Sequence, residues 1–277
     1  MKARTLKRIP LNLAALLVFA VSIFPVYWMI LTAFKPAKDV QSETPKFLPS
    51  SISFKNFQTA IDQPFFWDYW RNSLMVAGIG VILALVVACF AAFAVARMQW
   101  KGRAPFILMV FIAQMAPWEA LMIPMYLIAR DNDMLDSLPM LTAIYFVMTL
   151  PFSIVTLRGF LAGIPVELEE AARVDGCSRF TAFRRIVFPL LAPGLLSTSL
   201  FGFITAWNEF AFANALLINN ENQRTLPTWL NSFSNGLTTD WGAIMAASTL
   251  FMLPVLAIFL VLQGRVTGGL TSGAVKG

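Results

Sequence analysis

Two carboxylates stand inside long apolar runs of this sequence. Glu119 lies in the run 104–129, and Glu209 lies in the run 194–218. An ionised carboxylate in hydrocarbon costs several kcal/mol unless water or a partner compensates it, so each acid needs a specific role. Carboxylates and amides can hydrogen-bond hydroxyl groups, and indole faces can stack on the apolar face of a sugar ring. The candidate residues for a polar path of this kind are Gln114, Trp118, Glu119, Trp207, Asn208 and Glu209.

Other roles for the two acids remain open. They can form hydrogen bonds between helices at the boundary between membrane and water, with Trp118 and Trp207 as interface anchors. A proton relay is a further possibility, but no histidine or buried lysine continues it. An acid and base pair in a membrane enzyme is disfavoured, because metal ligands and an activated nucleophile are missing from the pattern.

The composition indicates a protein that crosses a membrane several times. Hydrophobic residues make up 58% of the 277 residues and charged residues only 13%, whereas a soluble domain carries about 25% charged residues. The sequence has no histidine, which excludes a histidine triad or a histidine zinc site, and its two cysteines, Cys89 and Cys177, provide no disulfide framework. We expect no metal, no cofactor and no catalytic site in this chain.

Six apolar runs are long enough to span a hydrocarbon core of about 30 Å, which needs about 20 helical residues. The first run is longer than the apolar core of a signal peptide and lacks a small-residue cleavage site, so we interpret it as a retained span. The predicted fold class is an all-α membrane protein with six transmembrane helices. The six runs are 9–34, 74–96, 104–129, 138–157, 194–218 and 241–262.

Straight helices would place the two acids at one level. Glu119 lies 16 residues past Arg103, and Glu209 lies 16 residues past Pro193. At about 1.5 Å per residue, both would lie about 24 Å from the cytoplasmic entrance of their helix. We therefore expect both acids in the outer half of the bilayer.

A charged insert, 164–189, interrupts the apolar runs. Pro165 suits a first helical position, and Gly176 suits the left-handed turn that ends a helix, so 165–175 is predicted to form about three helical turns. Ser178 can cap a second helix, and Pro189 is expected to end it.

The first helix of this insert is expected to dock into a groove of another protein. Leu168, Ala171 and Ala172 are predicted to share one face, and the two alanines would allow a close approach. The alternative is an amphipathic helix on the membrane surface. It is disfavoured because the segment 167–175 carries four acidic residues and one arginine.

The insert resembles the cytoplasmic EAA loop of permease subunits in bacterial ABC importers. Glu170, Ala171 and Ala172 are followed at the family's spacing by Gly176, Ile186 and Pro189, with Phe188 where the family usually has Leu. The run 207–210 and the ending 269–277 resemble the carbohydrate branch, similar to the second permease subunit of maltose-type importers. The stretches FFWDYWRNSL and GIPVELEEAARVDGC are similar to actinobacterial permeases for di- or oligosaccharides such as chitobiose.

The resemblance implies a type I ABC importer permease fold with a coupling-helix loop. It also implies a homologous permease as heterodimer partner, two ATPase subunits that bind ATP and Mg²⁺, an extracytoplasmic solute-binding protein and a sugar substrate. This chain has no glycine-rich phosphate loop of its own. The residues that the resemblance assigns to ATPase coupling are Glu170, Ala171, Ala172, Asp175, Gly176, Ile186 and Pro189.

Lysine and arginine predict the orientation. With a cytoplasmic amino end, 14 basic residues lie on the inner side and 7 on the outer side, which accounts for the net charge without nucleic acid. Both termini are then cytoplasmic. The predicted parts are an N-terminus (1–8), the first span and an extracytoplasmic loop (9–71), a permease core (72–263) with the coupling loop 158–193, and a cytoplasmic tail (264–277).

Two other transport functions stay open. An ion-coupled secondary transporter would fit six spans and two membrane acids, but such folds usually show internal repeats, and the halves of this sequence show none. An ABC permease for a non-sugar solute would share the coupling loop, because that motif faces the ATPase rather than the substrate.

Overall fold

A computed structural model describes the backbone of residues 8–233 and 239–274 and the side chains of residues 10–233 and 239–264. Residues 1–7 and 275–277 of the predicted cytoplasmic ends lie outside the described residues. The side chains of residues 265–274 in the predicted tail lie outside them as well. The described chain is built from helices joined by loops. In chain order they are α1 (Arg8–Ala33), α2 (Ala37–Val40), α3 (Lys55–Ile61), α4 (Phe66–Arg97), α5 (Arg103–Gln114), α6 (Met122–Asp131), α7 (Leu138–Ala162), α8 (Glu167–Val174), α9 (Arg179–Ala182), α10 (Phe188–Trp207), α11 (Ala211–Leu216), α12 (Leu226–Asn231) and α13 (Trp241–Ala274).

The all-α membrane architecture is confirmed. Five helical segments are long and apolar enough to cross a membrane: Pro10–Ala33, Phe66–Arg97, Leu138–Ala162, Arg179–Trp207 and Trp241–Gly264. A sixth is obtained if the bent pair Arg103–Gln114 and Trp118–Asp131 is counted as one span.

The predicted third span is not one straight helix. Its two parts meet at an angle of 86°. Pro117 lies in the break, where it has no backbone N–H to donate and disfavours a helical conformation of the residue before it. The predicted fifth span is also wrong at its end, because α10 stops at Trp207 and α11 begins only at Ala211. The expectation of one shared level for Glu119 and Glu209 rested on straight helices and is not supported.

The described parts of residues 1–66 and 230–253 form one compact unit. In it, the Asn56 side chain donates hydrogen bonds to the carbonyls of Ala33 (3.0 Å) and Lys35 (2.8 Å), which satisfies the carboxyl end of α1. Gly242 in α13 leaves room for this side chain, since an added Cβ would lie 2.6 Å from Asn56 Oδ1.

The described parts of residues 67–229 and 254–277 form the second unit. Its helices α7 and α10 approach closely at glycines. A Cβ at Gly194 would lie 2.5 Å from Phe160 Cγ, and a Cβ at Gly202 would lie 2.8 Å from Thr149 Cγ2. Small residues at such contacts let membrane helices pack backbone to backbone. The buried core beside them is formed by Ala88, Cys89, Ala92, Val110, Ile154, Leu157, Leu161, Ile164, Phe183, Val187 and Leu191.

Candidate functional site

The first helix of the predicted coupling loop, α8, is followed by a left-handed turn at Gly176, as predicted. Gly176 has φ 88°, and a Cβ there would meet no atom within 4 Å, so the backbone conformation alone favours glycine. The N–H of Gly176 donates to the carbonyl of Arg173 (3.1 Å) and the N–H of Cys177 to that of Ala172 (2.9 Å), the bonding pattern of a Schellman turn. The helix covers Glu167–Val174, which is shorter than the predicted 165–175.

The second coupling helix begins at Ser178 as predicted, but it does not end at Pro189. Ser178 Oγ accepts the N–H of Thr181 at 3.2 Å. The chain then stays helical through α9, a five-residue π turn (Phe183–Val187) and α10. Proline is tolerated in the first turn of α10, and the wide π turn before it relieves the clash of the ring with the preceding carbonyls. The coupling loop is therefore continuous with a membrane span.

Arg97, the last residue of α4, joins α4 to the coupling loop. Its Nε donates to Glu169 Oε1 at 2.5 Å, and its Nη2 donates to the carbonyl of Ile164 at 2.6 Å. The side chains of Arg97 and Glu169 are only 9% and 12% exposed. This pair could not be predicted from the sequence, because its members lie 72 residues apart and each also fits a solvent-facing role. We refer to this pair as the Arg97 clamp.

The side of the coupling loop that faces the rest of its own chain packs on the core of the second unit. Ala172 is 5% exposed, and Phe183 and Val187 are buried in the cluster that includes residues of α4 and α7. The prediction that Ala171 and Ala172 face a partner together is therefore wrong for Ala172. Adjacent residues point about 100° apart on a helix, and here only Ala171 is exposed.

The outer side of the loop exposes apolar side chains beside an acid. Val174 is 87% exposed and Phe180 61% exposed, and Glu170 and Ala171 are exposed with them. Exposed apolar residues next to charges are typical of a docking surface. Asp175, Gly176 and Pro189 are exposed as well, and Ile186 is half-buried.

A small cavity of about 150 Å³ lies behind this surface. Arg97 and Glu169 of the clamp line it, together with Glu170 and two further arginines, Arg173 and Arg179. Glu170 therefore shares this cavity with arginines of its own chain, so the surface around it is mixed in charge rather than purely acidic.

The substrate-path candidates lie at two helix breaks. Gln114 is the last residue of α5, and Trp118 and Glu119 start the short 3₁₀ turn (Trp118–Leu121) that follows the bend. Gln114 and Glu119 are exposed and Trp118 is half-buried. These three residues stay candidates for polar contact with a substrate.

Glu209 performs a structural task that its sequence context did not reveal. Its carboxylate accepts the N–H groups of Phe212 (2.8 Å) and Ala213 (3.1 Å), which caps α11, and it also accepts the hydroxyl of Tyr145 in α7 at 2.8 Å. These contacts fit the alternative of hydrogen bonding between helices. Acceptance from N–H groups at a helix start is favourable for an anion.

The two neighbours of Glu209 differ in exposure. Trp207 is 1% exposed and stacks on Phe203 with ring centroids 5.3 Å apart, so in this conformation it has no free face for a sugar ring. Asn208 is exposed, and its Nδ2 donates to the carbonyl of Ile204 at 2.8 Å at the end of α10.

Asp136 ties the loop after α6 to the segment after α11. Its carboxylate accepts the backbone N–H of Asn219 (2.9 Å), the side-chain amide of Asn219 (2.9 Å) and the N–H of Asn220 (3.3 Å). Although burial raises the pKa of Asp136, these hydrogen bonds outweigh it and hold the pKa below its usual value. Because α6 also packs against α11, the two helix breaks belong to one region.

Known proteins similar to this chain are permeases. The chain is 52% identical to the diacetylchitobiose uptake system permease protein DasC of Streptomyces coelicolor over 278 residues, which cover 100% of both chains. It is 32% identical to the trehalose/maltose transport system permease protein MalG of Thermococcus litoralis over 286 residues, with 100% of both chains covered.

A solved structure confirms the predicted type I importer permease fold. It is a bacterial ABC transporter involved in the import of the acidic polysaccharide alginate, and the match has a TM-score of 0.81 at 21% identity over 95% of this chain and 98% of that chain. Residues 80–271 match the family described as binding-protein-dependent transport system inner membrane component. The chain therefore belongs to this family of inner membrane permeases, as its EAA-like motif predicted.

Proposed function

We propose that this chain is one permease subunit of an ATP-driven importer and forms, with a second homologous permease, the membrane path of a di- or oligosaccharide. Membership of the binding-protein-dependent family supports the importer, and two relatives named as sugar permeases support the substrate class. Diacetylchitobiose, named for the relative at 52% identity, is the first sugar to test.

The proposal assigns the chemistry of ATP to other chains. Two ATPase subunits would bind ATP and Mg²⁺ on the cytoplasmic side, and an extracytoplasmic binding protein would deliver the sugar. The excess of basic residues, 14 against 7, supports an orientation with both termini and the coupling loop in the cytoplasm. This chain would itself carry out no catalysis, and the assembled complex would be the ATP-hydrolysing translocase.

The construction of the coupling loop is the observation that carries the proposal. Its outer side exposes Ala171 and Val174 around Glu170, whereas its inner side is held by the Arg97 clamp. A partner that displaces α8 would displace α4 through the clamp. It would also displace α10, because the helix runs on from α9 without a break. Closure of the ATPases would thus move two spans as rigid elements.

On the substrate side, the exposed polar groups at the two helix breaks would contact the sugar. Gln114, Glu119 and Asn208 offer amides and a carboxylate for hydroxyl groups, and half-buried Trp118 offers part of an indole face. Glu209 would act indirectly, by fixing the geometry of the break between α10 and α11.

Substitution of Gly176 tests the proposal. In Gly176→Val, a β-branched side chain must adopt a left-handed conformation, which costs about 1–2 kcal/mol or more and changes the angle between α8 and α9. We expect sugar uptake by the reconstituted importer to fall about tenfold or more per ATP hydrolysed. Uptake would be measured in proteoliposomes with the binding protein and diacetylchitobiose.

Gly176→Asn is the matched control, because asparagine tolerates a positive φ. It should keep most of the uptake. Normal uptake and normal coupling in a fully assembled Gly176→Val importer would contradict the proposed role of the loop.

A further inference from the structure

A pocket of about 360 Å³ with charged and apolar side chains in its wall lies in the unit formed by residues 1–66 and 230–253, where α1 ends. None of the residues discussed for coupling or for the substrate path lines it. Its wall combines cations, hydroxyls and indoles. The lining residues used below are Trp28, Thr32, Lys35, Asp39, Lys46 and Trp241.

Lys35 is a buried cation in this wall. Its residue is 2% exposed, and its Nζ lies 3.9 Å from the centroid of the Trp28 ring. Among the described residues, no carboxylate forms an ion pair with it within 4.0 Å. Burial lowers the pKa of Lys35, although the charge of Asp39 opposes this shift. A buried ammonium is costly without an anionic partner.

Asp39, the nearest candidate partner, is already engaged. One of its oxygens accepts Lys46 Nζ at 2.5 Å, and the other accepts the backbone N–H of Ser50 at 2.6 Å. These two donors hold the pKa of Asp39 well below its usual range. Since Lys46 neutralises Asp39, the charge of Lys35 is left over and the pocket carries a net positive charge.

Thr32 provides a second unsatisfied group at the same place. The residue is 6% exposed, and its hydroxyl has no hydrogen-bond partner among the described residues. A buried hydroxyl without a partner costs about 1–3 kcal/mol. A ligand with several acceptor oxygens can satisfy both the ammonium of Lys35 and, after a small side-chain adjustment, the hydroxyl of Thr32.

The position of the pocket narrows the choice of anion. Lys35 lies two residues beyond Ala33, the last residue of the first membrane span. Trp28 and Trp241 flank the pocket, as expected of tryptophans at the level of lipid headgroups. Asn56 donates to the carbonyl of Ala33, the last residue of α1, and to that of Lys35, which lessens the repulsion that a helix carboxyl end exerts on an anion.

We propose that this pocket binds a phosphate group, with Lys35 as its charge partner and Thr32 as a hydrogen-bond donor. The group can come from the headgroup of an anionic phospholipid or from soluble phosphate. This site is independent of the proposed sugar transport.

Lipid titration of the full chain in its assembly tests this site. Phosphatidylglycerol is added to the detergent-purified protein, and the dissociation constant is obtained from the saturable rise in melting temperature and from native mass spectrometry. Lys35→Met removes the charge at similar length and should weaken binding about tenfold or more, the loss expected for a charge-assisted contact.

Lys38→Met is the matched control, because Lys38 lies three residues after Lys35, in the short helix α2, and is exposed. It removes an equal charge and should bind as the wild type does. Thr32→Val preserves the shape and the ammonium and should weaken binding about threefold, so it tests the site even where Lys35→Met fails to fold. Equal binding by Thr32→Val, Lys38→Met and the wild type would overturn the proposal, as would equal binding by Lys35→Met and Lys38→Met.

Titration with inorganic phosphate distinguishes a lipid headgroup from soluble phosphate as the ligand of the pocket. If it stabilises the protein in a manner that depends on Lys35 and displaces the lipid, the pocket takes soluble phosphate. If it does neither while phosphatidylglycerol binds through Lys35, the ligand is a lipid headgroup.

Discussion

The coupling loop and the substrate-path region, which comprises the helix breaks around residues 114–119 and 207–211, are held in place in different ways. The coupling loop is fastened by contacts between residues far apart in the sequence: the Arg97 clamp joins residues 72 positions apart, and Phe183 and Val187 enter a core shared with α4 and α7. In the substrate-path region, short-range caps end α10 and start α11, and the links between residues far apart in the sequence are hydrogen bonds to Glu209 (from Tyr145) and Asp136 (from Asn219) rather than a shared buried core. Asn208 bonds to Ile204, and Glu209 bonds to Phe212 and Ala213.

This difference fits the two mechanical roles that the proposed function assigns to these regions. An element that transmits force must not open locally, and buried long-range contacts resist local opening. A region that opens and closes around a solute needs places where helices can bend, and helix breaks with exposed polar groups are such places. The angle of 86° between the two parts of the third span is the clearest example.

The largest effect is expected from breaking the clamp. Arg97→Met leaves the carboxylate of Glu169 and the carbonyl of Ile164 without their donor in a site where both side chains of the pair are almost buried. Removal of one partner of a buried pair typically costs about 3–5 kcal/mol. We expect ATP hydrolysis to continue with little sugar uptake, measured as the ratio of the two rates in proteoliposomes.

Lys101→Met is the control for this variant. Lys101 is an exposed basic residue just beyond α4, so its loss removes the same charge without opening the clamp. If Arg97→Met and Lys101→Met were equally stable and equally coupled, the contrast between the two regions would not hold.

Local chemistry made the end of the first helix of the coupling loop and the start of the second predictable. A left-handed Gly176 and a capping Ser178 follow from the conformational freedom of glycine and from the acceptor of serine, both of which act within a few residues. The clamp was not predictable, because nothing in the sequence says which carboxylate a basic residue will meet after folding. The inward position of Ala172 likewise depends on the core beneath it.

The helix breaks were visible in the sequence only in part. Pro117 lies inside a run whose hydropathy predicts one unbroken span, and the angle of 86° between its two parts appears only in the folded chain. Pro189 was expected to stop a helix, and the π turn before it lets the helix continue. Hydropathy alone places Glu209 in a span. Its hydrogen bonds from the N–H groups of Phe212 and Ala213 exist only because the backbone turns between α10 and α11, and hydropathy does not predict that turn.

An effect of intermediate size is expected when the two candidate acids of the substrate path are neutralised. One substitution should change the stability and the other the affinity for sugar. Glu209→Gln replaces a carboxylate that accepts two backbone N–H groups and the Tyr145 hydroxyl, so we expect a loss of stability of about 1–3 kcal/mol. Glu119→Gln changes an exposed residue, so we expect unchanged stability and a lower affinity for the transported sugar. Thermal melting and the concentration dependence of uptake measure the two effects.

Each substitution serves as the control of the other. Unchanged stability of Glu209→Gln together with weaker sugar uptake would place Glu209 in direct contact with the substrate and remove its assigned structural role. Unchanged uptake by Glu119→Gln would remove Glu119 from the substrate path.

The smallest effect is expected at Asp136, which links the loop after α6 to the segment after α11. Hydrogen bonds from Asn219 and Asn220 lower its pKa from the usual 3.8, against the opposing effect of burial. A lowered pKa in the folded state means that the ionised form stabilises the fold above the unfolded value and that this contribution is lost as the pH falls through the folded value.

Acidification therefore tests whether this link contributes to stability. Between about pH 6 and about pH 3, the melting temperature of the wild type should fall more than that of Asp136→Asn, because the amide has no charge to lose. The comparison cancels the titration of all other carboxylates, which both proteins share. Parallel melting curves would show that the link adds nothing to the stability of the fold, and the packing of α6 on α11 would then be the contact that holds this end of the substrate-path region.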